Sequence, residues 1–196
     1  MSRKWRFRYT FLVAVLVAAW AAYAAMSAPL PAQEAALSFD VAENATRWVS
    51  DSEHQFDDGS PAYGNVFVTM GYIYPAGTLD GSNGVLSNGD PEYPEQVIGT
   101  WFCRGWLIAD GAHTETGPFV ITTQYYDLGD SAGINSVVTE GFELIDLNVA
   151  VQRAVTGGTG HYQQASGVQT QELLGFNATQ GENLHVEISL TMPSDQ

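Results

Sequence analysis

The stretch Val155-Thr156-Gly157-Gly158-Thr159-Gly160-His161-Tyr162-Gln163-Gln164-Ala165-Ser166-Gly167 carries the reading of the fold. Three glycines fall within four residues at the end of a strand-like run. Such a density means that the backbone turns sharply and passes close to something that leaves no room for a Cβ. Gly157, Gly158 and Gly160 are therefore read as a structural turn. A nucleotide loop does not fit, because the third glycine of GxGxxG is absent and no helix or second strand completes a βαβ unit.

On both sides of this turn the apolar residues recur at every second position. In Ile145–Val155 the odd positions Ile145, Leu147, Val149, Val151 and Val155 form one apolar face, broken by Arg153. In Asn183–Thr191, Leu184, Val186, Ile188 and Leu190 alternate with His185, Glu187 and Ser189. The same pattern marks strands over Ser38–Val49, Asn65–Tyr74, Gln96–Ile108, Phe119–Asp127, Asn135–Phe142 and Ala165–Leu174. Asp58-Gly59, Asp80-Gly81, Asn83-Gly84, Asn88-Gly89 and Asp110-Gly111 supply tight-turn chemistry between them. No convincing amphipathic helix occurs past Gln33, so the chain reads as all-β. Eight short strands with one buried face each fit a sandwich or a closed barrel, and periodicity leaves that choice open. Leu79–Glu95, crowded with Gly, Asn, Asp and Pro, is the longest loop and a candidate lid or rim.

Composition sets the limits on function. The 196 residues are 45% apolar, 12% aromatic and 15% charged, enough for one sizeable core and too few for two ordinary domains. Seven basic residues stand against 22 acidic ones, and Arg3, Lys4, Arg6 and Arg8 lie in the first eight positions. The remainder is so acidic that nucleic-acid binding, and docking on an anionic membrane, are excluded for want of a basic face. The basic start, the apolar run Phe11 to Ala25 and the small-residue stretch Ala24-Ala25-Met26-Ser27-Ala28 have the layout of a secretory signal peptide. Residues 1–32 are thus expected to be a signal peptide and 33–196 a single all-β domain, secreted or periplasmic, with no stable membrane insertion after cleavage. Cys103, the single cysteine, excludes an intramolecular disulfide; in an oxidising compartment it is expected to be buried and free.

Most motif matches point to structure. Gly129-Asp130-Ser131-Ala132-Gly133 has the spacing of a nucleophile elbow, but a strand rather than a helix follows the serine. His54, His113, His161 and His185 are scattered, with no spacing for a zinc site, and read as surface or rim residues. Asp80-Gly81-Ser82-Asn83-Gly84 lacks the acidic spacing of a calcium loop. No metal and no cofactor is expected. Asn44-Ala45-Thr46 and Asn177-Ala178-Thr179 are glycosylation sequons, meaningful in a eukaryotic secretory pathway.

The glycine-rich stretch resembles the V-x-G-G-[ST]-G-x-[FY]-x-x-A-x-G signature of the allene oxide cyclase and dirigent protein superfamily. Ile98-Gly99 followed by Cys103-Arg104-Gly105 resembles an earlier strand of that superfamily, and Asn183-Leu184-His185-Val186-Glu187 its closing strand. The likeness covers roughly 96–191 and favours bacterial secreted relatives. It implies an eight-stranded antiparallel lipocalin-like (allene oxide cyclase-like) β-barrel, forming a homodimer or homotrimer, with an apolar cavity open at one end. It also implies catalysis that holds a reactive chain in a productive shape within a dry pocket. The family's catalytic glutamate has no match at a named position here. Its pocket cysteine falls nearer Gly105 than Cys103; the two share a face, which points Trp101, Cys103 and Leu107 inward. Arg104, Arg153 and Glu187 are candidate charged pocket residues because basic groups are so few.

The expected function is an exported cavity barrel that binds an apolar or aromatic small molecule; the sequence leaves open whether it also guides cyclisation or isomerisation of that molecule, which it would do as a cofactor-free cyclase/isomerase acting by substrate positioning. A non-enzymatic structural or interaction barrel with a filled cavity is the alternative. Tyr72, Tyr74, Trp101, Cys103, Gln124 and Tyr126, from three aromatic-rich strands, are the expected ligand-binding residues. No acid or base can be placed among them from the sequence.

Overall fold

The strand nearest the C-terminus shows how alternation becomes architecture. Leu184, Val186, Ile188 and Leu190 are buried in one interior cluster, whereas Glu187, Ser189 and Thr191 are exposed. The computed structural model describes residues 32–129 and 131–193. Its strands are β1 (Ala32–Glu43), β2 (Val49–Ser50), β3 (Val66–Pro75), β4 (Gly99–Leu107), β5 (Pro118–Leu128), β6 (Ser136–Leu144), β7 (Val151–Gly158), β8 (Ser166–Phe176) and β9 (Glu182–Pro193). Each strand from β3 to β9 pairs antiparallel with the next, and β1 pairs with both β9 and β3, so eight strands close into a barrel. The ninth, β2, continues past β1 along the same edge of β3, through Val49↔Val68 and Ser50↔Phe67. The expected eight-stranded antiparallel barrel is the fold observed. Closure removes the open edges that an all-β chain otherwise exposes.

Three boundaries differ from those read in the sequence. The first strand begins at Ala32 and ends at Glu43, where Asn44 accepts a hydrogen bond from the Thr46 amide and starts a 3₁₀ turn over Ala45–Arg47. A second 3₁₀ turn, Pro94–Gln96, replaces the start of the strand expected from Gln96. Ile145–Ala150 is not strand: Asn148 has φ +56°, a left-handed conformation that breaks extended pairing, and Leu147 and Val149 lie exposed. Arg153 does not interrupt an inner face by pointing away from it. It points inward with Val155 and is buried.

The expected leader over residues 1–32 falls, apart from Ala32, outside the described residues. Among the described residues no helix is long and apolar enough to cross a membrane.

The long loop does not form a lid. Leu79 and Val85 pack on Ala42 and Tyr74, the outward-facing residues of β1 and β3, in a second apolar cluster. The Leu79 amide donates to Asp40 Oδ2, Asn183 Nδ2 donates to the Asn83 carbonyl, and Tyr74 donates to the Gly84 carbonyl. The loop is therefore a strap over the outside of the seam where β1 meets β3 and β9.

The signature turn explains its glycines. A Cβ on Gly158 would lie 2.5 Å from the Ser136 carbonyl oxygen and 2.6 Å from that of Tyr162. Gly160 combines φ +54° with a backbone approach to Ile134 that leaves no room for a side chain. Here close approach demands glycine at position 158, and both causes act at position 160.

Candidate functional site

Closing the barrel gathers one layer of polar side chains inside an otherwise apolar interior. At one end Phe39 packs on Tyr126, with ring centroids 5.1 Å apart, amid Val137, Val155 and Ile188. Toward the other end, inward positions of five strands bring together Glu43, Thr69, Trp101, Cys103, Thr122 and Glu143. All of these but Thr122 border a cavity of about 20 Å³, reached between Trp48, Phe67 and Phe119. Trp48 stacks on Phe67 with centroids 4.2 Å apart and planes 12° from parallel, so two flat rings stand at the entrance.

Two carboxylates in this layer have different environments. Glu143 is held by its neighbours. It accepts from the Thr122 hydroxyl and from Gln171 Nε2 at 3.0 Å, Cys103 Sγ lies 3.6 Å from its Oε1, and Arg153 Nη1 also stands 3.6 Å from that oxygen. Arg153 in turn donates to Thr122 Oγ1 at 2.8 Å and to the carbonyls of Thr122, Gly141 and Phe142. A buried ion pair with this many hydrogen bonds is the arrangement that lets both charges survive without water.

Glu43 is less completely satisfied. Its Oε2 accepts from the Glu182 amide at 2.9 Å, whereas its Oε1 is buried with no partner among the described residues. Burial pushes its carboxyl up to about 6, opposed by that amide hydrogen bond. Glu182, which also lines the cavity, is pushed well above the ordinary carboxylate range by burial and by the neighbouring charges of Glu143 and Glu43. The indole N–H of Trp101 and the hydroxyl of Thr69 are buried beside the cavity, likewise without a partner among the described residues. An acid that can hold a proton, a fixed N–H donor and a hydroxyl thus converge on one small space.

Glu43 is placed by two identical tripeptides. In Asn44-Ala45-Thr46 the Asn44 carboxamide accepts from the Thr46 amide and hydroxyl; in Asn177-Ala178-Thr179, Asn177 does the same with Thr179. The Ala45 amide donates to Thr179 Oγ1, and Asn177 Nδ2 donates to the Glu43 carbonyl, which locks the two turns together. Asn44 Nδ2 is engaged with the Gly89 carbonyl. Both sequon amides are buried and used as staples, so the folded barrel offers neither nitrogen to a glycan.

The six expected pocket residues divide. Trp101, Cys103, Gln124 and Tyr126 point into the barrel and are buried. Tyr72 and Tyr74 do not line the cavity: β3 sends Phe67, Thr69 and Ile73 inward, so the even positions face out, where the strap covers both tyrosines. Burial by the strap is the physical reason that aromatic content misled there. Gln124 and Tyr126 sit deeper than the cavity, with the Tyr126 hydroxyl donating to Gln124 Oε1 and Gln169 bridging Gln124 to Gln171. Burial drives the Tyr126 hydroxyl and the Cys103 thiol well up from their ordinary values, so neither ionises readily. Of the candidate charged residues only Arg153 is inside; Arg104 and Glu187 are exposed on the outer wall. Ser131 follows a strand end and no helix succeeds it, and among the described residues no group of three or more His, Cys, Asp or Glu could hold a metal ion.

Glu43 and Glu182 were not found in the sequence. The signal available was an acid at the end of a strand, preceded by Asp40-Val41-Ala42, and its parity was undecidable without the closure of β1 on β3.

No protein-family model matches the sequence, and no curated protein matches it. Solved structures do. A pterocarpan synthase dirigent protein superposes with a TM-score of 0.61 at 13% identity, over 84% of this chain and 93% of that one. A second pterocarpan synthase dirigent protein gives 0.59 at 14% identity, over 83% of this chain and 97% of that one. What the chain shares with them, at such low identity, is the dirigent-like barrel fold.

Proposed function

We propose that this protein is an exported barrel that admits a neutral, largely apolar or aromatic small molecule at the Trp48–Phe67 end and guides its cyclisation or isomerisation. The observation that carries the reading is Glu43, a buried acid with a carboxyl near 6 and one unpartnered oxygen beside the cavity. A group with that affinity holds a proton part of the time near neutrality and can lend and regain it. Glu43, the Trp101 N–H and the Thr69 hydroxyl border the same cavity, so charge developing on a substrate oxygen bound there would be met by donors already in place. Isomerisation leaves the atom count unchanged, so a proton lent to the substrate is recovered and no co-reactant is required. Glu143, held by Arg153, Thr122 and Gln171, would shape the polar end of the site. Glu43 and Glu182 both disfavour a buried anion, so a fatty-acid carboxylate is a poorer guest than a phenol, ether or ketone. The dirigent-like neighbours support a reaction class governed by positioning, not a particular substrate.

The filled-barrel alternative is favoured by one observation, the cavity's volume of about 20 Å³, room for a water-sized guest only. The two readings separate on whether the ring pair Trp48–Phe67 can part. Titration of the purified protein with Nile red, a neutral probe, should give saturable binding that weakens in Trp101→Ala and changes in Trp48→Ala. No binding to the wild type, or binding indifferent to both substitutions while the fold persists, would establish the filled barrel. For catalysis, Glu43→Gln should retain probe binding and lose turnover of any substrate identified by mass spectrometry of co-purifying ligands.

A further inference from the structure

The outer wall formed by β3, β4, β5 and β6 carries large apolar side chains in an ordered array. Cross-strand register places Val66, Trp106, Ile121 and Phe142 in one row, and Met70, Phe102, Tyr125 and Val138 in another. Between them runs a polar row in which Arg104 pairs with Thr123 and Thr123 with Glu140. Trp106 is 53% and Phe142 48% exposed, and Val66, Val68, Phe102 and Tyr125 are also exposed. An all-β surface strand with water on its outer side would carry polar residues at these positions.

We infer that this wall is where a second copy of the chain docks, about a twofold axis lying along β5. Three observations favour a copy of the chain itself as the occupant. First, rotation about that axis exchanges β4 with β6. Arg104 then faces the partner's Glu140, Trp106 faces the partner's Phe142, and both contacts occur twice, as an isologous interface requires. Second, the protein has a net charge of −15, so two copies repel over most of their surfaces. The two apolar rows and the polar row between them instead present one basic and one acidic residue, Arg104 and Glu140, placed on either side of the axis so that each meets its opposite, while Asp127 lies beyond these rows near the end of β5. Third, a standard interface buries about 800 Å² per partner, roughly three-fifths of it apolar, and six large apolar side chains of this wall, Val66, Val68, Phe102, Trp106, Tyr125 and Phe142, stand exposed side by side to supply the apolar part. The cavity opens at the end of the barrel, so this side-by-side contact leaves its entrance free.

Sedimentation velocity on the purified full chain, with single and paired charge reversals, tests the arrangement. The wild type should sediment as a dimer in the micromolar range. Trp106→Glu should yield monomer with an unchanged far-ultraviolet circular dichroism spectrum, since the side chain it replaces is exposed. Arg104→Glu and Glu140→Arg should each weaken the dimer by about tenfold or more, and the double variant should recover to within about threefold of wild type. Monomer at every concentration overturns the proposal, as does a dimer indifferent to Trp106→Glu. A trimer, or single reversals that the double variant does not rescue, overturns the twofold register along β5. Monomer that instead binds anionic or neutral phospholipid vesicles through Trp106 would assign the wall to a membrane and likewise overturn it.

Discussion

Arg153 and Glu143 face each other across 3.6 Å inside the barrel, both essentially removed from water. Among the described residues Arg153 is the only cation in the polar layer, against several acids, and its hydrogen bonds run to three backbone carbonyls on two strands. Removing one partner strands the other charge. Arg153→Met should cost about 3–5 kcal/mol in urea unfolding, and combining it with Glu143→Leu should return a large part of that loss. A double variant no more stable than Arg153→Met would show that the carbonyl contacts of Arg153 matter more than its charge.

The Glu43 carboxyl, raised from 4.5 to about 6, makes stability depend on pH with a definite sign. The folded state holds the proton more tightly than the unfolded state, so Glu43 favours folding below about pH 4.5 and this contribution is lost as pH rises through about 6. The loss amounts to about 2 kcal/mol from this group. Glu182 acts in the same direction. Denaturant midpoints of wild type and Glu43→Gln, compared across this window, should converge at the acid end and favour Glu43→Gln at neutrality. Parallel curves would remove Glu43 as a buried titrating acid.

Gly158→Val should be among the most damaging single changes in the chain. Its Cβ would meet two backbone carbonyls at 2.5 and 2.6 Å, and neither can move without breaking the turn. A loss of more than about 2 kcal/mol is expected by thermal or chemical denaturation. A Cβ on Gly157 would meet nothing within 4 Å, so Gly157→Ala, strained only by its φ, serves as the milder comparison.

Cys103 should resist thiol reagents in the native state. It is 2% exposed, and burial with the Glu143 charge beside it holds the thiol protonated. Labelling by dithionitrobenzoate should be slow in buffer and complete on unfolding in guanidinium. Fast native labelling would mean that the Trp48–Phe67 entrance opens often and widely, which would itself support admission of a guest.

Much of the barrel is written in period-two alternation, as the inner face of β9 illustrates, and in the glycine-rich turn whose steric demands the structure accounts for. The site was harder to read because burial at this barrel has two sources. Tyr74 is as deeply buried as Trp101, yet the strap covers the first from outside and the cavity side holds the second. A local pattern cannot distinguish them. Arg153 looked like a defect in an apolar face because its partners lie on other strands, β5 and β6. Glu43 depended on the register of β1 against β3, and a slip of one residue would have put Ala42 in its place.

The closing of the ring between β1 and β9 also dictates an order of events during synthesis. The pairings from β3 to β9 join neighbours in sequence and can form as the chain emerges, but β1 must wait for residues 182–193 before its second edge is met. The contact between Asp40 and His185, 2.8 Å apart under the strap, spans 145 residues and belongs to that last step. Such long-range closure is slow, with folding times for β-topologies in the range of milliseconds to seconds. Until it happens the incomplete sheet has two free edges, and a nascent chain lacking β9 would be a substrate for chaperones rather than a folded body.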